Sequence, residues 1–315
     1  MKPTRDISEH PLDILKFAIA AMHNGHRCVL AIIAHIEGPS ARAIGTMMAI
    51  SDAGQYAGYV SNGCVDADIA NHALRVLDGN NKSRRVRYGA GSPYLDIRLP
   101  CGGAVEVEFI SEPDVGALRA IISKLDQRQP VSISINSAGE IGTSPSNTKD
   151  DPNSLFLSYA PPLQIAIAGR GEEVIALSRM ARAARYGVSV HSPDKDVLDV
   201  CRTLGTCTSQ LNSVSSAPTF PDDPWSAIIC LFHDHEWESD LLIAALNTKA
   251  YYIGAMGSPR THAARLEELR NRGIDENALQ RIRGPIGLIP SVRDASKLAI
   301  SALAEIVDCY QSEPM

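Results

Sequence analysis

Apolar positions follow one pattern through the first part of the chain and another through the last part. Residues 11–24 place Leu12, Leu15, Phe17, Ile19 and Met22 at largely helical spacing, and the unbroken apolar run at 28–34 has the length of a buried strand. Short extended segments are predicted at 45–50, 56–60, 84–88, 94–99 and 104–110, with helices at 64–78 and 113–126. This mixture predicts an N-terminal α+β domain over residues 1–135. Between 136 and 162 the chain turns to Ser, Gly, Asn, Asp and Pro, as in Ser144-Pro145-Ser146-Asn147, and is expected to be an interdomain linker. From 163 strands and helices alternate: strands at 164–168, 188–191, 227–232 and 251–255, helices at 172–186, 238–247, 261–272 and 293–310. That alternation predicts an α/β, Rossmann-like, doubly wound parallel-sheet domain over 163–315.

A chain of 315 residues with 44% hydrophobic and 21% charged positions can bury two cores and is not a largely disordered polymer. Its net charge of -6 provides no global field for a polyanion, so nucleic acid is not an expected partner. The basic run from Lys82 to Arg87 reads as a solvated turn or strand edge and is given no role. Seven cysteines, at 28, 64, 101, 201, 207, 230 and 309, contain no CxxC pair and suit a reducing compartment. The start of the chain lacks the apolar core of a secretory signal, and no apolar run approaches the roughly 20 residues of a membrane span. The expectation is a cytoplasmic protein with no membrane partner.

Several short motifs carry chemistry. Gly169-Arg170-Gly171-Glu172-Glu173-Val174 sits where a strand turns into a helix, the place where backbone N–H groups receive a phosphate. Two glutamates load that helix start with negative charge, and the third glycine of a dinucleotide fingerprint is absent. Asp194, about 25 positions beyond Gly169, is the best match for a ribose-binding acid and equally suits a turn cap. Dinucleotide binding and a glycine turn kept for packing therefore stand level. His233-Asp234-His235 follows an apolar strand and should emerge at the carboxyl edge of the sheet. Its histidines could bind a ligand, hold a metal or donate a proton, while Asp234 or His235 could instead cap the next helix. In Gly254-Ala255-Met256-Gly257-Ser258-Pro259-Arg260 the glycines, Gly257 among them, permit close backbone approach, and Ser258 and Arg260 could hold an anionic oxygen, or Ser258 simply caps a helix begun by Pro259.

In the first domain the glycine-bounded loop from Gly38 to Met48 carries Arg42 and Gly45 and could dock an anion. Cys64, in Ser61-Asn62-Gly63-Cys64-Val65-Asp66, and Cys101, in Pro100-Cys101-Gly102-Gly103, have glycine neighbours that leave a thiolate uncrowded. A functional role is expected for at least one of them, whereas Cys28, Cys230 and Cys309 read as core. No local signature pairs Cys64 or Cys101 with a catalytic base, so a cysteine hydrolase is not favoured.

These residues resemble the XdhC/CoxI family of accessory proteins for molybdenum-containing hydroxylases. The resemblance spans nearly the whole chain, through Arg42-x-x-Gly45-x-x-Met48, Gly63-Cys64-Val65-Asp66-Ala67, Cys101-Gly102-Gly103, His233-Asp234-His235, Tyr252 to Ser258 and Pro285-Ile286-Gly287-Leu288. There are departures. The family's Gly-Ser-x-Pro-Arg is Gly38-Pro39-Ser40-Ala41-Arg42 here, and its Ser-Gly-Gly-Cys is Ser61-Asn62-Gly63-Cys64. Its Gly-Ala-Gly-His is Gly169-Arg170-Gly171-Glu172, and its Gly-Leu-Asp-Ile-Gly is Gly287-Leu288-Ile289-Pro290-Ser291.

The resemblance implies a molybdenum-cofactor (molybdopterin) chaperone without independent turnover. It would bind the cofactor, protect the sulfurated form and deliver it to an apo-hydroxylase such as xanthine dehydrogenase, helped by a cysteine desulfurase. The expected cofactor contacts are Arg42, Gly45, Cys64, Asp66, Cys101, Gly102 and Gly103 in the first domain and Gly169, Gly171, Asp194, His233, Asp234, His235, Gly257 and Ser258 in the second, with Cys64 and Cys101 as the candidate metal ligands. The alternative is a nicotinamide-dependent oxidoreductase using NAD(P), with His233 or His235 as proton donor. A pure docking protein is a third reading, and a homodimer is expected.

Overall fold

Helix α1 (Pro11–His23) begins where the sequence supplies both a first-turn proline and a cap, since His10 Nδ1 accepts the Leu12 N–H at 3.1 Å. The computed structural model describes residues 2–3, 9–61, 63, 65–79, 82–92, 102–143, 154–215, 217–233 and 236–312. The chain divides into two units, Met1–Pro161 and Pro162–Met315.

In the first unit, β1 (Lys2–Pro3), β2 (Cys28–Glu37), β3 (Met47–Ser51), β4 (Gln55–Gly58), β5 (Ser83–Gly89) and β6 (Ala104–Ser111) form one sheet in the order β1-β4-β3-β2-β6-β5. Every ladder is antiparallel except β1 with β4. Strand β2 is apolar on both faces because both are covered. Leu30 and Ile32 pack with α1 and α3 (Val115–Asp126), whereas Val29, Ala31 and Ile33 pack with α2 (Asp66–Leu77). The basic run lies on edge strand β5, where Arg85 pairs with Glu108 at 2.7 Å and Arg87 pairs with Glu37 and Glu106.

The stretch expected to be a linker holds regular structure. Strands β7 (Val131–Ile135), β8 (Ile141–Thr143) and β9 (Leu155–Tyr159) form a three-stranded antiparallel sheet in the order β8-β7-β9. Leu157 and Tyr159 of β9 enter the core with α1 and α3, and the Tyr159 hydroxyl donates to the Gly45 carbonyl at 2.9 Å. This segment therefore belongs to the first unit, and the expected extended segment at 94–99 lies outside the described residues.

The second unit contains β10 (Gln164–Gly169), α4 (Gly171–Ala183), β11 (Gly187–Ser192), α5 (Lys195–Thr203), β12 (Cys207–Gln210), β13 (Ser226–Leu231), α6 (Glu238–Leu246), β14 (Tyr252–Ala255), α7 (Pro259–Asn271), α8 (Glu276–Leu279), β15 (Ile282–Arg283) and α9 (Ala295–Ser312). All ladders are parallel, in the order β12-β11-β10-β13-β14-β15. Ile165 and Ile167 face α4, α5 and α9, while Ala166 and Ala168 face α6, α7 and α8. This is the doubly wound order of dinucleotide-binding sheets, and the chain reverses direction across the sheet between β10 and β13. Among the described residues no helix is long and apolar enough to cross a membrane.

Candidate functional site

The carboxyl ends of β10 and β13 meet at the reversal point, where open α/β sheets take their ligands. Gly169 ends β10 in tight contact: a Cβ there would lie 2.5 Å from the Leu231 carbonyl oxygen and 2.8 Å from Val174 Cγ2. Val174 stands where a dinucleotide fingerprint would have its third glycine, and it is fully buried. Gly171 is different, with φ +76° and only the Glu173 carboxylate, at 3.3 Å, near its missing side chain. The turn thus combines a packing glycine with a conformational one.

Charges at this point are largely taken up by one another. The Arg170 guanidinium lies 3.8 Å from the Asp194 carboxylate and 5.6 Å from the centre of the Trp237 ring. The His233 Nε2 is 3.5 Å from the Glu173 carboxylate, and the histidine side chain is 76% exposed. Asp194 sits at the N-cap of α5 without a side-chain capping bond. Asp234 and His235 lie outside the described residues. The N-cap position of α6 is Trp237, whose side chain makes no capping bond.

Beside the reversal point is a cavity of about 830 Å³. It draws Phe232 and His233 from the loop after β13, Met256 to Pro259 from the loop after β14, and residues 285–294 from the loop after β15. One wall is apolar, with Phe232, Met256, Ile286 and Leu298, and Arg293 and Ser258 supply polar groups. Gly257 has φ +149°, and a Cβ there would come within 2.9 Å of Thr261 Cγ2. Ser258 caps α7 by accepting the Thr261 N–H at 3.1 Å, so the helix-entry reading of Ser258 holds while the residue also lines the cavity. The third loop is fastened to α9: the Ile289 N–H donates to Ser301 Oγ at 2.7 Å, and the Gly287 N–H donates to the Glu305 carboxylate.

Two residues that sequence reasoning missed hold the first two loops. Glu238 and Arg265, each 2% exposed, form a two-point ion pair, and Arg265 also donates to the Met256 carbonyl at 2.6 Å. His262 Nδ1 lies 3.3 Å from Arg265 Nη1, and burial, then the guanidinium charge, hold its pKa below the usual histidine value.

In the first unit the candidates converge on one edge of the sheet. The Gly38–Thr46 connection, the turn after β4 and the segment entering β6 all lie at the end where β2 and β4 finish and β3 and β6 begin. Gly103 is forced by crowding, since a Cβ would lie 2.2 Å from the Pro39 carbonyl, and Gly102 adopts φ +75° with nothing among the described residues within 4 Å of its missing side chain. Gly45 has φ +88° and packs against Leu157 and Tyr159. Arg42 is tied to Glu9, while its buried Nε has no hydrogen-bond partner among the described residues. Asp66 is buried, and its carboxylate accepts the N–H groups of Val60, Ser61 and Gly63 at 3.0, 2.7 and 2.9 Å, so it shapes the turn that precedes α2.

Cys64 and Cys101 lie outside the described residues. No group of three or more metal-ligating side chains occurs among the described residues. Burial pushes the Cys28 thiol up to about 12 and the Cys230 thiol higher still, as expected of core cysteines, whereas Cys309 is half-buried.

Two family models match the chain: the XdhC and CoxI family over residues 21–89 and the XdhC Rossmann domain over residues 165–306. The molybdenum cofactor insertion chaperone PaoD of Escherichia coli (strain K12) is 34% identical over 305 residues, covering 95% of this chain and 89% of PaoD. The chain belongs to the XdhC and CoxI family. A Bacillus halodurans protein, whose crystal structure is described as that of a xanthine dehydrogenase, superposes with a TM-score of 0.76 over 96% of each chain. At 19% identity that likeness is one of fold. The XdhC match over 165–306 takes in the reversal point and the cavity, and the match over 21–89 takes in Arg42, Gly45 and Asp66.

Proposed function

We propose that this protein is a cytoplasmic accessory factor of molybdoenzyme maturation that binds the molybdenum cofactor as cargo. It keeps the sulfurated form intact and hands it to an apo-hydroxylase of the xanthine dehydrogenase kind, with a cysteine desulfurase as sulfur source and a homodimer as the working form. The observation that carries this reading is the 34% identity to a molybdenum cofactor insertion chaperone along 95% of the chain.

The chemistry of the cavity suits such a cargo. Its volume of about 830 Å³ falls within the usual range for small-molecule sites. Phe232, Met256, Ile286 and Leu298 offer an apolar wall to a pterin ring, and Arg293 and Ser258 offer donors to its phosphate. Glu173, which also lines the cavity, is unfavourable to an anion. Cys64 and Cys101 are the soft side chains that a molybdenum dithiolene would take.

The test is to co-express the full chain with an active cofactor pathway and measure molybdenum by elemental mass spectrometry and oxidised pterin by fluorescence. Near-stoichiometric pterin and metal are expected, and their absence would overturn the reading. Use of NAD(P) is a second reading, favoured by the doubly wound strand order. Glu172 and Glu173 at the helix start and the buried Val174 weigh against it. Calorimetric titration of the same protein with NAD and NADP is expected to give no heat.

A further inference from the structure

The Glu238–Arg265 pair presents a physical puzzle. Two charges, each 2% exposed, are buried together, although a buried ion pair adds little net stability over an apolar pair of the same volume. Docking of α6 on α7 does not depend on it, because Ser239 bonds Glu268, Asp240 pairs with Arg272, and apolar residues of both helices share a core. What the pair adds is geometric. Glu238 is the first residue of α6 and ends the loop that carries Phe232 and His233. Arg265 grips both of its carboxylate oxygens, at 3.1 and 3.0 Å, and the Met256 carbonyl at 2.6 Å. Met256 begins the loop that carries Gly257 and Ser258, and a Cβ on Gly257 would lie 3.4 Å from the same guanidinium nitrogen. One planar guanidinium, with its donors at fixed angles, thus ties together two loops that form adjacent walls of the cavity.

We infer that Glu238 and Arg265 are positioning residues: they set the separation of the β13–α6 and β14–α7 loops and thereby the affinity of the cavity for its ligand. The inference rests on the reading of the cavity as the cargo site. Removing one partner strands a buried charge, so single truncations would confuse positioning with misfolding. Replacing both partners with apolar residues of similar size avoids that.

The experiment uses the full-length double variant Glu238→Leu, Arg265→Met. Three readings are compared with wild type: the melting temperature, hydrogen exchange at the Met256 amide, and pterin content after co-expression with the cofactor pathway. The Met256 N–H donates to the Cys230 carbonyl at 2.9 Å, so this amide is protected while the start of the loop is held. A melting temperature within a few degrees of wild type is expected, with exchange about tenfold faster at this amide and pterin content reduced about tenfold. Wild-type exchange rates, or wild-type pterin content in a loosened protein, would overturn the inference.

Arg265→Lys serves if the double variant does not fold. It keeps the charge opposite Glu238 but loses the fork, and the same two changes are expected in milder form. A wild-type protein that carries no pterin would remove the functional reading, and the exchange rates would then decide the role of the pair by themselves.

Discussion

Asp66→Asn alters one atom of a side chain that organises a whole turn. The carboxylate accepts two N–H groups on Oδ1, from Val60 and Ser61, and one on Oδ2, from Gly63. Asparagine can keep the first two on its carbonyl oxygen, but its amide group then faces the Gly63 N–H, donor against donor. One charge-assisted bond worth roughly 1.5–3 kcal/mol is lost, and the other two weaken because the acceptor is no longer ionised. The Ser61 Oγ to Val65 N–H bond, at 3.1 Å, braces the turn from its other side and limits the spread of the damage. The expected cost is about 2 kcal/mol, and for a unit of this size that lowers the melting temperature by about 4–8 °C. Asp66→Ala, which leaves all three N–H groups without their acceptor, should cost about twice as much. Differential scanning calorimetry of the full chain would follow the first unit's transition. An Asp66→Asn protein melting within 1 °C or so of wild type would refute the convergent-acceptor argument.

Gly169→Ala forces a methyl group to within 2.7 Å of Leu231 Cβ, an overpacking cost of about 1–3 kcal/mol. Gly171→Ala meets only the movable Glu173 carboxylate, at 3.3 Å, but a left-handed backbone, at about 1–2 kcal/mol. Chemical denaturation should therefore rank Gly169→Ala at least as damaging, and a clearly reversed order would remove the packing role assigned to Gly169. His191 is buried with neither ring nitrogen bonded among the described residues, and desolvation pulls its pKa down to about 4 from 6.5. Since the unfolded chain takes up the proton first, stability should fall as pH drops from 6.5 to about 4 and level off below, by on the order of 3 kcal/mol. His191→Phe should flatten that slope in denaturation curves recorded at several pH values, and an unchanged slope would exclude His191 as its source.

The parts of the fold that could be read from the sequence are those whose burial is written in local spacing. The run at 28–34 marks β2 because both faces of that strand are covered, and the alternation after Leu163 marks the parallel sheet. Strand β9 was hidden by its surroundings: Leu157 and Tyr159 alternate inward, but they follow a Ser-, Asn- and Pro-rich stretch that reads as linker. Edge strand β12 was overlooked because Cys207 to Gln210 have little to bury. At the site, the Gly169 turn and His233 fall at the carboxyl ends of their strands as expected, since strand-to-loop transitions are visible locally, whereas the reversal of the sheet between those strands is not. Glu238 and Arg265 could not be found that way. They lie 27 positions apart on two helices and look like ordinary surface charges until the fold removes both from water. Asp66 was recognisable as special, but its three backbone partners become apparent only in the folded turn.

The ladder between β10 and β13 has a mechanical meaning. In the sheet it is the seam between an earlier half, β10 to β12, and a later half, β13 to β15, with α9 of the later half folded back over α4 of the earlier one. The reversal point is the open end of that seam. A molecule lodged there would touch both halves at once and brace one against the other, so its binding would register as added stability of the whole sheet.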